Sequence, residues 1–387
     1  MSTITRTNVS DLRGAARLAF DATLGITTLV EKMHHTIQLV HPPLGASRAE
    51  STRGLTGLIY RSIRGTTRVI GKGLDAGLAP VAALLPEGES STSRNAWVSA
   101  INGVYGDHLE RTANPLAIDM SFLHAGNLVD HERPGDVVQE ASGRVLLAIH
   151  GLCLNEQHWA RDGHHRIANV AATTGHTIVH LRYNSGRSID TNGRSLAVML
   201  EALLERWPVP VTQLVIVGHS MGGLVARSAL HHGTAAGYSW RDQLRKLFSL
   251  GTPHHGAPLE RGGSRLDYLM ELSPYVAPFT SLGKARSAGI TGLRYGSITD
   301  VAHEFVPLPD DVECYALAAT LGKRRSVLAE RLVGDGLVPL NSALGKHTDS
   351  ARTLEPPTER QWIGYEMGHL ELLGRPEVYS QLEKWLR

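Results

Sequence analysis

The chain has 387 residues, long enough for one large domain with an appendage or for two modest domains. It is 42% hydrophobic and 20% charged with a net charge of +2, which excludes a disordered chain and argues against a nucleic-acid partner. Its two cysteines, Cys153 and Cys314, lie too far apart for a metal or redox spacing, and a disulfide framework is not indicated.

No stretch reaches the roughly 18 apolar residues of a membrane span. Met1 to Gly14 holds no apolar core of signal-peptide length. A soluble chain, cytoplasmic or peripheral to a membrane, is therefore expected. Histidines come in adjacent pairs, such as His34-His35 and His254-His255. Neighbours point apart on helices and strands, so the pairs suit hydrogen-bonded or solvated rings better than a shared metal. No cofactor and no metal site are expected.

Residues 1–112 read as helical. Ser10-Asp11 can cap a helix running toward Thr36, and Pro42-Pro43 ends that segment. A second helix runs from Arg53 to Leu85, rich in glycine. Its Arg61, Arg64, Arg68 and Lys72 repeat at helical spacing and are expected on one basic face. That makes 53–72 a candidate for peripheral contact with an anionic membrane surface. Pro86 to Ser93 reads as a linker, and Arg94 to Arg111 as a short helix broken by Asn114-Pro115. Leu116 to Leu123 is the expected first strand, and Gly126 to Gly143 is expected to be loop.

From Arg144 the pattern becomes alternating. Val145 to Ile149 is a continuous apolar run, as in a strand buried on both faces. Thr177 to Leu181 is another, and Ser188 to Arg206 reads as a helix. Leu214 to Val217, Leu247 to Leu250, Val312 to Ala318 and Gln361 to Ile363 are further strands, with a closing helix over Glu377 to Leu386. Strands alternating with helices predict a mainly parallel sheet covered on both sides. Ligands then bind at the carboxyl ends of the strands.

The strand ending at Val217 runs into Gly218-His219-Ser220-Met221-Gly222-Gly223 and then a helix. Such a sharp turn lifts the serine hydroxyl above the sheet, where a base can reach it. A serine needs that base, a group to orient the base, and donors for the developing oxyanion. Three more strand ends supply candidates. His150-Gly151-Leu152-Cys153 follows the first apolar run, so the backbone N–H of Leu152 can pair with that of Met221 as oxyanion donors. Gly334-Asp335-Gly336 places an acid just past the late strand, with Asp310 and Asp311 as competing acids. Met367-Gly368-His369 follows the last strand and offers the base.

Together these motifs resemble the α/β-hydrolase superfamily, and within it the bacterial lipase/esterase group and its relatives, the inositol deacylases that act on glycolipid anchors. The residues that carry the likeness are His150-Gly151-Leu152, Gly218 to Gly222, Gly251-Thr252-Pro253-His254-His255-Gly256, Gly334 to Pro339 and Gly368-His369-Leu370. Residues 1–112 lie outside it. The chain is therefore expected to divide into an N-terminal helical region over 1–112 and an α/β-hydrolase domain over 113–387, with the apolar stretch 258–296 as a candidate cap. The resemblance implies hydrolysis of carboxylic esters, lipid-like ones above all, by Ser220, His369 and Asp335 through an acyl-enzyme. Leu152 and Met221 would hold the oxyanion, with His150 and Gly151 on the substrate side. Some relatives carry calcium beside the histidine; here that position is Glu371, no second ligand is evident, and no calcium is expected. Two alternatives stay open: an acyltransferase or thioesterase on the same triad, and a non-catalytic lipid-binding or membrane-associated protein.

Overall fold

The computed structural model describes residues 9–40, 54–84, 92–161, 163–257, 287–301, 304–323 and 334–387. Contacts divide the chain into two compact units: 1–91 with 109–117, and 92–108 with 118–387.

In the first unit α1 (Val9–Val40) and α2 (Gly54–Leu84) run antiparallel. The pairing is polar at its ends. The Arg17 and Arg13 guanidiniums both bind Asp75, at 2.5 and 2.6 Å. Their hydrogen bonds hold the Asp75 carboxyl well below the usual carboxylate range. Further along, Arg64 binds Glu31. Between these, a Cβ added to Gly71 would lie 3.1 Å from the Phe20 ring, so the glycine admits the aromatic side chain. The expected four-cation face is thereby corrected. Arg64 turns inward to its carboxylate, while Arg61, Arg68 and Lys72 stay exposed.

α3 (Thr92–Arg111) gives its residues up to His108 to the second unit. Among the described residues eight strands form the sheet of that unit: β1 (Ser121–His124), β2 (Asn127–Val129), β3 (Arg144–Ile149), β4 (Thr177–Arg182), β5 (Gln213–His219), β6 (Leu244–Leu250), β7 (Glu313–Thr320) and β8 (Gln361–Tyr365). Their order is β2-β1-β4-β3-β5-β6-β7-β8. From β4 to β8 all neighbours are parallel, and β1 joins antiparallel to both β2 and β4. The helices are α4 (Arg166–Thr173), α5 (Ile189–Glu205), α6 (Met221–Ala236), α7 (Trp240–Gln243), α8 (Ala288–Tyr295), α9 (Leu340–Ala343) and α10 (Pro376–Leu386).

Alternation along each strand sorts the interior into two cores. Val145, Leu147 and Ile149 face one core with Leu196 and Leu200 of α5 and Leu224 and Val225 of α6. Leu146 and Ala148 face the other with Ile167 and Val170 of α4 and Val378 and Leu382 of α10. A strand walled on both sides has no polar face, which is why its sequence is an unbroken apolar run.

Two expectations fail at the start of the sheet. The strand expected over 116–123 is the shorter β1, and the expected loop over 126–143 contains β2. The two pair as a hairpin through Ala125 and Gly126, with φ of 49° and 83°. Positive φ at both central residues is the turn geometry that matches strand twist. Of the candidate cap, 258–286 lies outside the described residues; 287–296 holds α8, capped where the Ser287 hydroxyl accepts from the Ile290 N–H.

Candidate active site

His150, Ser220, Asp335 and His369 lie beyond the carboxyl ends of β3, β5, β7 and β8. Ser220 ends β5 with φ 53° and ψ −123°, a conformation costly for a side chain bearing a Cβ. The positive φ thus falls on the serine itself rather than on the glycines around it. Those glycines answer close approach. A Cβ on Gly218 would sit 2.5 Å from the Gly223 nitrogen, and one on Gly222 would sit 2.4 Å from the Ile149 carbonyl oxygen. The Ser220 N–H donates to the Leu250 carbonyl at 2.8 Å, which ties the turn to the end of β6.

The loop after β3 lies against this turn. A Cβ on Gly151 would be 3.0 Å from the Ser220 Cβ. Leu152 is fully buried, and Cys153 beyond it has φ 61° and donates its N–H to the Ser185 hydroxyl oxygen, 3.1 Å away. Met221 is the first residue of α6, so its N–H has no acceptor within the helix. Leu152 thus follows the glycine that packs on Ser220, and Met221 follows Ser220 directly. His150 stacks on Tyr183 with ring centroids 4.4 Å apart, and the Tyr183 hydroxyl donates to the His150 carbonyl at 2.8 Å. Burial pushes the His150 imidazole down to about 4.

Asp335 and His369 meet. His369 Nδ1 lies 2.6 Å from Asp335 Oδ2, and both side chains are buried. The other oxygen, Oδ1, accepts the N–H groups of Leu337 and Val338 at 3.0 and 2.7 Å. The His369 N–H donates to the Asp335 carbonyl at 3.0 Å, so backbone and side chain are tied together. A carboxylate only accepts, so Nδ1 carries the hydrogen and Nε2 is left to accept. The competing Asp311 is exposed and pairs with Arg241 instead.

Ser220 and His369 both border the Leu250-Gly251 turn. Leu250 accepts from the serine N–H, and a Cβ on Gly251 would lie 3.1 Å from the His369 ring. Ser220 Oγ and His369 Nε2 are buried, and neither has a hydrogen-bond partner, so they do not bond each other. Sequence reasoning missed the neighbour of both, His219. Its ring lies 4.8 Å from that of His369, with Nε2 3.3 Å from the His369 carbonyl oxygen. Burial first, and then the neighbouring His369, hold its pKa far below the usual imidazole range. No sequence signal could have distinguished it, because it is the variable residue before the serine. Glu371 accepts the Gly368 N–H at 2.7 Å and caps the turn that carries His369. Among the described residues no group of three or more His, Cys, Asp or Glu could hold a metal ion.

Six parallel strands, an antiparallel hairpin at one edge and a strained serine between β5 and α6 define the fold as that of an α/β hydrolase. Residues 140–313 match the family model of the PGAP1-like alpha/beta domain. Solved structures with this fold include the mature Bacillus licheniformis lipase BlEst2, 18% identical, at TM-score 0.43 over 69% of this chain and 98% of that one. An α/β-hydrolase superfamily protein from Enterococcus faecalis is 14% identical, at TM-score 0.38 over 69% and 94%. A Pyrococcus furiosus esterase is 15% identical, at TM-score 0.41 over 63% and 82%. A comparison with curated proteins found no match.

Proposed function

We propose that this chain is a serine hydrolase of carboxylic esters. The supporting observation is the Asp335–His369 pair at 2.6 Å, which borders the same Leu250-Gly251 turn as a strained serine, with Ser220 Oγ and His369 Nε2 both buried and without partners. Buried polar atoms without partners are rare and call for a reason; a reacting substrate would supply one here. In this reading Ser220 Oγ attacks the ester carbonyl while His369 Nε2 takes its proton. The oxyanion lies against the N–H groups of Leu152 and Met221. His369 then protonates the leaving alcohol, and water admitted through the same base releases the acid. A catalytic hydrogen bond that is long without substrate and tightens in the complex is ordinary behaviour for such sites. Lipid-like esters are favoured by the apolar sequence from Leu266 to Phe279.

A fluorophosphonate probe tests the reading. Wild type labels at Ser220, and Ser220→Ala does not label; an unlabelled wild type would sink it. The same acyl-enzyme could pass its acyl group to an alcohol or thiol. Product analysis with added acceptors separates transfer, which yields the new ester, from hydrolysis, which yields acid alone.

A further inference from the structure

α2 carries a face that the hydrolase reading does not use. Leu58, Ile59, Ile63, Val69 and Ile70 are all exposed, Val69 at 73% and Leu58 at 58%. At 3.6 residues per turn they fall within an arc of about 140° along a single helix side. The residues between them on this arc, Ser62 and Thr66, are small and also exposed. Tyr60, Arg64, Thr67, Gly71 and Asp75 lie on the opposite, half-buried side, with Arg64 and Asp75 ion-paired to α1. Arg61, Arg68 and Lys72 are exposed along one margin of the apolar arc. From Gly54 to Leu74 the sequence contains no acid.

From this arrangement we infer that α2 docks on an anionic lipid surface, lying in the plane of the interface with Leu58, Ile59, Ile63, Val69 and Ile70 sunk among the acyl chains. The charge pattern favours lipid over other occupants. Asp21 of α1 and the ion-paired Asp75 line the same pocket as Arg68 and Lys72, but α2 itself carries no acid before Asp75, and three exposed cations beside an apolar arc match a layer that is apolar below and negative at its head groups. Long Arg and Lys stems can lie along the apolar surface while their heads reach phosphate. A second copy of the same face would bring like charges together. No described helix is long and apolar enough to cross a membrane, which accords with a helix that lies on one.

The test is flotation of the full chain with vesicles of phosphatidylcholine alone or mixed with phosphatidylserine, at low salt. Wild type should favour mixed vesicles by at least ~10-fold, since each basic residue near a charged surface contributes about fivefold. The triple change Arg61→Gln, Arg68→Gln, Lys72→Gln should abolish that preference. Val69→Ser with Ile70→Ser should lower binding to mixed vesicles by at least ~10-fold. Leu128→Ser, at an equally exposed apolar residue of β2, should leave binding unchanged. All these sites are exposed, so thermal midpoints should hold and exclude unfolding as the cause. Absence of wild-type binding, α2 variants that float like wild type, or self-association that disappears with the serine changes would each overturn the inference.

Discussion

Asp335 divides its two oxygens between two tasks. Oδ1 holds the backbone of its own turn through Leu337 and Val338, and Oδ2 holds the His369 imidazole. Asparagine has only one acceptor oxygen. The two backbone donors would claim it, leaving the amide NH₂ to face Nδ1. Nδ1 would then have to accept, and the hydrogen would move to Nε2, the atom that takes the serine proton in the proposed mechanism. Asp335→Asn should therefore cut the rate of probe labelling by roughly 10³–10⁴ while the chain stays folded. Stopped-flow or gel-based labelling kinetics beside a melting curve checks both halves. A fall of only a few-fold would show that Asp335 does not orient the base.

At the scale of elements, α5 and α6 meet at a glycine. A Cβ on Gly193 would come within 2.4 Å of the Ser228 Cβ and 2.8 Å of its carbonyl carbon. Alanine at this position would ordinarily favour the helix by about 1 kcal/mol. Here overpacking should win, because backbone atoms cannot step aside as a flexible side chain can. Gly193→Ala should lower stability by about 1–3 kcal/mol in urea denaturation, against the direction propensity alone predicts. The same contrast marks what the sequence could tell. The Val145–Ile149 run gave away a strand because burial on both faces leaves nothing polar to confuse it. The helix over Ile189–Glu205 was legible because Pro208 and Pro210 stop it, while its cap, the Ser188 hydroxyl on the Thr191 N–H, needed coordinates. The β1–β2 hairpin was not, since strands of three and four residues carry almost no period and its turn is Ala-Gly. Arg64 was misplaced because periodicity fixes the helix side but not which side a partner such as Glu31 will claim. α4, eight residues without a side-chain cap, gave no signal. Ser220, Asp335 and His369 stood out as candidates by their places after strands, but that the carboxylate meets the imidazole needed coordinates.

For the whole molecule, the buried histidines set an acid limit. Desolvation pushes His150, His176 and His180 down to about 4 and holds His219 and His254 well below the ordinary imidazole range. These rings are neutral when folded, while in the unfolded chain each takes up a proton below about pH 6.5. The unfolded state then binds more protons, so stability is fully present above about 6.5 and falls steadily toward about 4. Chemical denaturation at a series of pH values should show that loss in this window. A stability flat from pH 7 to 4.5 would contradict neutral burial of these rings.

The sheet has interior on both sides, and that restricts how a chain of this design can change its length. One residue inserted in β5 would send every following side chain into the opposite core, with no solvent-facing side to absorb the mistake. Additions and deletions are tolerable only where strands have already ended, and those rims also bear the serine turn, the amides and the imidazole. Lineages descended from this chain can therefore remodel what the rim admits by lengthening or trimming it, while the stack of strands beneath stays the same size.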